Sequence, residues 1–268
     1  MSEGTIAQVL AGEATWCVSD GDNRDVLPSL PDRSVHHCIV DPPYSKEVHS
    51  RSIRRTYLPD VAEQPCRKTR AFAFGFDHIT PEEQTFCAKH FARVATRWSL
   101  VFSDTETAAS WRTEMTGAGL DFIRFGFWVK DRAMPQISGD RPGSRVEQIT
   151  IAHPKGRKKW NGGGLGNVWQ HPVVANCSGH RSDRVHPAQK PESLMLELVG
   201  LFTSPGDIVL DCYAGSGSTG VAALRLGRRF IGVERLAEHA KTARERLLAE
   251  DSSSTLQAIR SGQGALFT

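Results

Sequence analysis

The segment IVLDCYAGSGSTGVAALRLGRRFIGVE, residues 208–234, restricts the fold more than any other stretch of the chain. An apolar run leads into a turn holding three glycines, then a helical stretch, then a second apolar run. Two strands joined through a helix lie parallel, and such crossovers are right-handed in nearly all sheets. Parallel strands are covered by helices on both faces and carry apolar residues on both sides. The expected class is α/β, with a mostly parallel sheet and helices on both faces.

The rest of the chain repeats this alternation. TWCVS (15–19) reads as a strand, followed by a helix near 22–30 and the strand VHHCIV (35–40). Thr80-Pro81-Glu82-Glu83 has the chemistry of a helix start: Thr80 caps, Pro81 suits the first turn and Glu83 reaches back. That helix is expected to bury Phe86, His90, Phe91 and Val94. SLVFS (99–103) and FIRFGFWVK (122–130) read as strands flanking a helix over 105–117. Residues 131–190, rich in Gly, Pro, Arg and Lys, read as irregular, with VEQITIAH (146–153) as the one strand. Regularity returns with a helix from Pro191 to Phe202, a turn over Ser204-Pro205-Gly206-Asp207, helices over 217–227 and 236–250, and the strand RFIGVE. DSSST (251–255) reads as a linker to a short tail. With 39% hydrophobic residues in 268, one large domain with insertions is expected. MSEGTIAQVL lacks a signal-peptide layout, and no stretch reaches the ~20 apolar residues of a membrane span. A cytoplasmic protein is the expectation.

Gly215, Gly217 and Gly220 match GxGxxG at a strand-to-helix turn, a candidate nucleotide-type site. Val221 and Ala222 stand where a phosphate-binding P-loop would carry Lys and Ser or Thr. Glu234, ending the next strand, can accept from a ribose. NAD and S-adenosylmethionine both suit this geometry. Asp211 favours the second, because a carboxylate there repels a pyrophosphate but attracts the methionine ammonium. A tight turn without a ligand is the competing reading, since helix packing alone can need glycines.

Charge is uneven. Residues 45–70 hold seven Lys or Arg against three Asp or Glu, and residues 124–190 hold twelve against four, in a chain whose net charge is +3. Two basic segments on an otherwise acidic body point to a polyanion. Between them in function stands CIVDPPYSK (38–46), a strand that ends in an acid, two prolines and an aromatic ring. Neither proline can donate to a ladder, so the turn is stiff and holds out Asp41 and Tyr44. A rigid surface turn is the plain alternative.

An acid-Pro-Pro-aromatic turn together with a glycine turn suited to S-adenosylmethionine resembles the amino-methylating DNA methyltransferases. The order of motifs, catalytic first and cofactor last, resembles their β-type, permuted arrangement. SDGDNRDVLPSLPDRSVHHCIVDPPY, FGFWVK, HPAQKP (186–191) and SPGDIVLDCYAGSGSTGVAALRLGRRFIGVE resemble successive blocks of that family. The resemblance implies a Rossmann-like methyltransferase sheet plus an irregular target-recognition region. Residues 1–130 and 186–250 would form the catalytic domain, 131–185 the recognition region, and 251–268 a linker and tail.

The chemistry suits the residues. An exocyclic amine is a poor nucleophile until acceptors hold its two N–H groups and turn its lone pair toward the methyl donor. Asp41 and the Pro42 carbonyl are the acceptors the family implies, with Pro43 stiffening the turn and Tyr44 stacking on a flipped base. Asp22, Lys190, Asp211, Tyr213, Ala214, Gly215, Ser216, Gly217 and Glu234 are the implied cofactor residues: Asp22 at the adenine, Lys190 at the methionine carboxylate, Asp211 at the ammonium and Glu234 at the ribose. Tyr213 replaces the family's Phe, Cys212 its frequent proline, Ser218 a threonine, and Val146-Glu147 stands where His-Glu is common. DPPY leans toward adenine N6 over cytosine N4, with restriction-modification as the implied setting.

For DNA, Arg51, Arg54 and Arg55 are expected on a mobile loop that closes over the base. Arg141, Arg145, Arg157, Lys158, Lys159, Arg181 and Arg184 are expected to meet phosphates or guanine in double-stranded DNA. Trp160 and Trp169 read equally as base-stacking platforms or buried anchors. Gln263-Gly264-Ala265-Leu266-Phe267 resembles the peptide by which bacterial proteins dock on the replication sliding clamp. Relatives of this arrangement often form homodimers. Cys177, His180 and His186 lie close in sequence but lack a fourth zinc ligand, and no metal is expected. A cytosine-N4 or RNA methyltransferase, a catalytically silent DNA-binding module and a nicotinamide oxidoreductase remain the rival readings.

Overall fold

The computed structural model describes residues 3–46, 78–131, 142–174, 189–254 and 256–260. Among the described residues, eight strands form one sheet in the order β1-β8-β7-β2-β3-β5-β4-β6. They are β1 (Trp16–Asp20), β2 (His37–Val40), β3 (Ser99–Ser103), β4 (Asp121–Asp131), β5 (Val146–His153), β6 (Val168–Pro172), β7 (Ile208–Asp211) and β8 (Arg229–Glu234). From β1 to β3 all neighbours are parallel, β5 runs antiparallel to β3 and β4, and β6 is parallel to β4.

The strands are apolar on both sides because two cores cover them. Cys38, Val40 and Leu210 face α1 (Ile6–Ala11), α2 (Asn23–Ser29), α3 (Pro81–Val94) and α4 (Thr105–Gly117), which bring Val9, Leu27, Phe91, Trp111 and Met115. Ile39 and Val209 face α5 (Glu192–Phe202), α6 (Ser218–Arg225) and α7 (Ala237–Asp251), which bring Leu194, Leu198, Val221, Ala243 and Leu247. The loss of period-two patterning in β2 thus has its cause in this double burial. A short α8 (Leu256–Arg260) occupies part of the expected tail.

Helix α3 begins at Thr80 with the reciprocal capping box that the sequence implies. Its buried stripe is Gln84, Cys87, Ala88, Phe91 and Val94, at the i, i+3, i+4, i+7 spacing of one helix face. Phe86 and His90 sit beside that stripe, half-buried, with their rings tilted against each other at 4.5 Å, so two of the four residues expected to be buried are corrected.

The segment 131–190 is more regular than expected. β6 was missed because VWQHP carries one strongly buried side chain, Trp169, and ends in proline. Its place depends on β4: a Cβ at Gly126 would fall 2.4 Å from the Trp169 ring, so only glycine leaves that slot open. Both tryptophans are anchors. Trp169 is 3% exposed, and Trp160 packs on Phe202 at 4.8 Å while donating to the Gly163 carbonyl.

Strand β2 connects onward to β3, and β7 connects the opposite way to β8. These two strands are neighbours, so the connections part between them and leave a crevice at their carboxyl ends. Open α/β sheets bind ligands at such switch points. Asp41 follows the last residue of β2, and Asp211 is the last residue of β7.

Candidate active site

A cavity of about 430 Å³ opens at this crevice. One half is lined by Asp41, Pro42, Pro43, Tyr44, Phe102, Trp128, Lys130, Glu147 and Lys190, the other by Asp22, Asp211, Tyr213, Ala214, Gly215, Ser216 and Glu234. Two motifs some 170 residues apart in the chain therefore share one wall.

The proline turn is held from outside. Asp104, the N-cap of α4, accepts from the Ser45 amide at 2.6 Å and from Thr107 at 2.8 Å. The Tyr44 carbonyl accepts from Ile79 at 3.2 Å. Within the cavity, Lys190 Nζ donates to Asp41 Oδ2 at 2.5 Å and to the Tyr44 hydroxyl at 3.1 Å, and lies 3.3 Å from Glu147 Oε2. The Tyr44 hydroxyl donates to Glu147 Oε2 at 2.5 Å, and Lys130 Nζ meets Glu147 Oε1 at 2.6 Å. The Lys190 ammonium also lies 5.3 Å from the Tyr44 ring centroid and 5.1 Å from that of Phe102.

Two carboxylates and two ammonium groups balance here, which keeps so buried a cluster tolerable. One acceptor is left over: Asp41 Oδ1 is buried without a hydrogen-bond partner in the described structure. Burial pushes the Asp41 carboxyl up against the opposing pull of Lys190. Burial also acts to raise Glu147, but Lys190 and Lys130 outweigh it and hold that carboxyl at about 2. Lys190 stays charged because Asp41 and Glu147 overcome its desolvation. The resemblance implies a place for Lys190 at a methionine carboxylate. The structure instead commits its ammonium to Asp41, Tyr44 and Glu147.

In the other half, Gly215 and Gly217 take left-handed φ values of +52° and +79°. The Gly215 amide donates to Glu234 Oε2 at 2.8 Å, and the Leu236 amide donates to Glu234 Oε1 at 2.8 Å. Asp211 accepts from the Tyr213 amide at 3.0 Å and from Thr219 Oγ1 at 2.6 Å. Burial nevertheless pushes its carboxyl up to about 7. Asp22 caps α2 and is forked by Arg24 at 2.7–3.0 Å, and the hydrogen bonds from Arg24 hold its carboxyl below the usual range.

Gly217, read from the sequence as a cofactor residue, does not reach the cavity wall. A Cβ there would meet Ala243 at 3.1 Å, and at Gly220 it would meet Leu247 and Phe230 at 2.7 Å. Both glycines let α6 pack against α7 and β8. Among the described basic residues, Arg145 precedes β5 at the cavity end of the sheet. Arg157, Lys158 and Lys159 follow β5 at its far end, where Lys158 meets Asp121 and Lys159 meets Ser204. The antiparallel run of β5 thus sets them about 20 Å or more from the cavity end of the sheet, six or more residues beyond Glu147 at ~3.3 Å each. Arg51, Arg54, Arg55, Arg141, Arg181, Arg184, the Gln263–Phe267 tail and the Cys177, His180 and His186 group lie outside the described residues.

The sequence reading placed Glu147 and Lys130 in family-like blocks but gave neither a role in the site. The His-Glu position of the resembled family was the available signal for Glu147, and the antiparallel direction of β5 brings it to the cavity end. Among the described residues, no group of three or more His, Cys, Asp or Glu could hold a metal ion, and no helix is long and apolar enough to cross a membrane.

A family model described as DNA methylase matches residues 35–245. The Type II methyltransferase M2.DpnII of Streptococcus pneumoniae is 52% identical over 68 residues, 25% of this chain and 25% of that protein. The DNA adenine methyltransferase YhdJ of Escherichia coli (strain K12) is 44% identical over 82 residues, 31% of this chain and 27% of that protein. The chain thus aligns with about a quarter of the length of these curated relatives. In three dimensions it matches the M1.HpyAVI–SAM complex with a TM-score of 0.63 at 23% identity, over 87% of this chain and 98% of that one. It matches the PvuII cytosine-N4-specific DNA methyltransferase with a TM-score of 0.66 at 17% identity, over 92% of this chain and 91% of that one. At such identities these two likenesses speak for the fold.

Proposed function

The chain belongs to the DNA methylase family, and from that premise we propose that it transfers a methyl group from S-adenosylmethionine to adenine N6 in double-stranded DNA. The observation that carries this reading is the unpartnered Asp41 Oδ1, buried beside the Pro42–Tyr44 turn in a cavity shared with the glycine turn.

The residues present suit the cofactor. The Gly215 amide is already engaged by Glu234, and Asp211 and Glu234 place carboxylates around the turn. Such a turn disfavours a pyrophosphate and favours a ligand bearing an ammonium and a ribose. Each engaged carboxylate oxygen keeps a second lone pair for that ligand. Asp22, Tyr213, Ala214 and Ser216 would complete the pocket, and the bound cofactor supplies an electrophilic methyl group.

On the other side, Lys190 grips Asp41 Oδ2 and leaves Oδ1 to accept one N–H of the target amine, while the Pro42 carbonyl accepts the other. The stiff turn fixes both acceptors, so their orientation is set before the base arrives. Tyr44 gives a flipped base an aromatic face. Asp41 Oδ1 is also the nearest acceptor for the proton that the amine loses after transfer, and burial favours its holding that proton.

The adenine assignment draws on the names of the matched relatives. Cytosine N4 is the second reading, since a fold neighbour is named as cytosine-N4-specific. Arg145 and the basic residues at the cavity end of the sheet would meet phosphates, with the region 131–185 supplying recognition and a cytoplasmic location implied. Homodimer formation and clamp docking through the tail rest on resemblance alone.

The test uses tritiated cofactor, long unmethylated duplex DNA and single-molecule sequencing of the product. The expected outcome is methyl on adenine N6 in one short context, lost in Asp41→Ala while cofactor binding persists. Cofactor binding without any DNA methylation would refute the proposal, and methyl on cytosine N4 would replace it with the second reading.

A further inference from the structure

We infer that Glu147 is a positioning residue that sets how strongly Asp41 can accept, because it divides the Lys190 ammonium between two carboxylates and fixes the Tyr44 hydroxyl. The inference rests on the function proposed above and assigns a role to a residue outside its acceptor set.

The geometry is specific. Lys190 Nζ stands 2.5 Å from Asp41 and 3.3 Å from Glu147, so one cation serves two anions. Tyr44 donates to the same Glu147 oxygen that faces Lys190, and Lys130 holds the other oxygen at 2.6 Å. Glu147 is therefore fixed from β4, from the proline turn and from the segment before α5. The charged and titratable groups around Asp41 are Lys190, Glu147 and Tyr44 directly, Asp211 from β7, and Lys130 through Glu147. Tyr44 is further flanked by Asp104.

A cation drawn to Glu147 is drawn away from Asp41. Without the Glu147 charge, Lys190 would pair with Asp41 alone, and a carboxylate facing an unshared cation is both a weaker acceptor and a stronger acid. Without Lys130, Glu147 would compete harder for Lys190, and Asp41 would become a weaker acid. The two changes therefore act in opposite directions on the same carboxyl.

The experiment measures kcat against pH for the wild-type protein, Glu147→Gln and Lys130→Met, on unmethylated duplex DNA with saturating cofactor. Cofactor affinity is measured alongside by calorimetry. In Glu147→Gln the acid limb is expected to move down by about one pH unit, as for loss of one nearby like charge, and the plateau to fall on the order of tenfold. In Lys130→Met the acid limb is expected to move up. Cofactor affinity should stay within about twofold in both, since the glycine-turn half is untouched. A ¹³C NMR titration of the Asp41 carboxyl in the free proteins should move with the same two signs and needs no turnover. Limbs that stay in place, or move the same way in both variants, would overturn the inference. Absence of methyl transfer by the wild-type protein would overturn the proposed function, and the role of Glu147 with it.

Discussion

Replacing Asp211 by Asn should stabilise the free protein at alkaline pH while weakening its grip on cofactor. Asp211 is 2% exposed. Burial pushes its carboxyl from 3.8 to about 7, against the lowering effect of hydrogen bonds from Thr219 and Tyr213, with Asp41 and Glu234 adding to the rise. The unfolded chain ionises this group near 3.8 and the folded protein near 7, so the folded state binds more protons between those values. Stability from this group is therefore lost as pH rises from about 4 to about 7, and the full penalty applies above 7. About three pKa units at ~1.36 kcal/mol each give about 4 kcal/mol. Asn cannot ionise and keeps one acceptor oxygen, so the variant also forfeits about 1 kcal/mol of hydrogen bonding. The net expectation is a gain of roughly 2–3 kcal/mol near pH 8 and a small loss near pH 4. Urea denaturation of both proteins across this range gives curves that should cross. Parallel curves, or a variant less stable near pH 8, would refute the reasoning. Calorimetry supplies the second half: a ligand ammonium needs the ionised carboxylate, so wild-type affinity should fall below about pH 7 while the variant binds weakly at every pH.

Gly217→Ala should cost roughly 1–3 kcal/mol in denaturation midpoint, since φ is +79° and the new methyl would press on Ala243 at 3.1 Å. The loss should appear equally with and without cofactor, because Gly217 lies behind the cavity wall. Reversing the charge of Arg157, Lys158 and Lys159 together should leave DNA affinity within about twofold, whereas Arg145→Glu should reduce it and flatten its salt dependence. A fluorescence titration at two salt concentrations checks both, and a strong loss in the triple variant would place DNA at the far end of the sheet.

Legibility followed the range of the interactions. Strands such as Ser99–Ser103 and Val146–His153 and the helix Thr105–Gly117 match the expected spans because local pattern and burial agree there. Thr80 and Glu83 revealed a helix start because capping acts over three residues. The two halves of the site were legible too, since a proline turn and a glycine turn each write their chemistry locally. Strand β6 was not, because its register is fixed by Trp169 seated over Gly126, more than forty residues away. Nor were the contacts of Glu147, because its meeting with Tyr44 and Lys190 depends on the direction of β5, a tertiary fact absent from the sequence pattern. The place of the basic run at 157–159 was illegible for the same reason: composition marks charge but not the end of the sheet that carries it.

The strand order has a consequence for how the chain assembles. Among the described residues strand β1 lies at the sheet edge, touched on its outer side by a single bridge from Glu3, and its neighbouring strand is β8, more than two hundred residues later. The first strand made is thus among the last to find its partner. At ~5–20 residues per second of synthesis, β1 waits on the order of ten seconds or longer with the edge that β8 will cover unpaired. The cavity has the same timing, because β7 must slide in between β1's eventual partner and β2 before Asp211 can stand beside Asp41. A nascent chain holding the proline turn but not the glycine turn has no second wall to its crevice. Competence for chemistry therefore arrives in one late step, when the final βαβ unit closes the sheet.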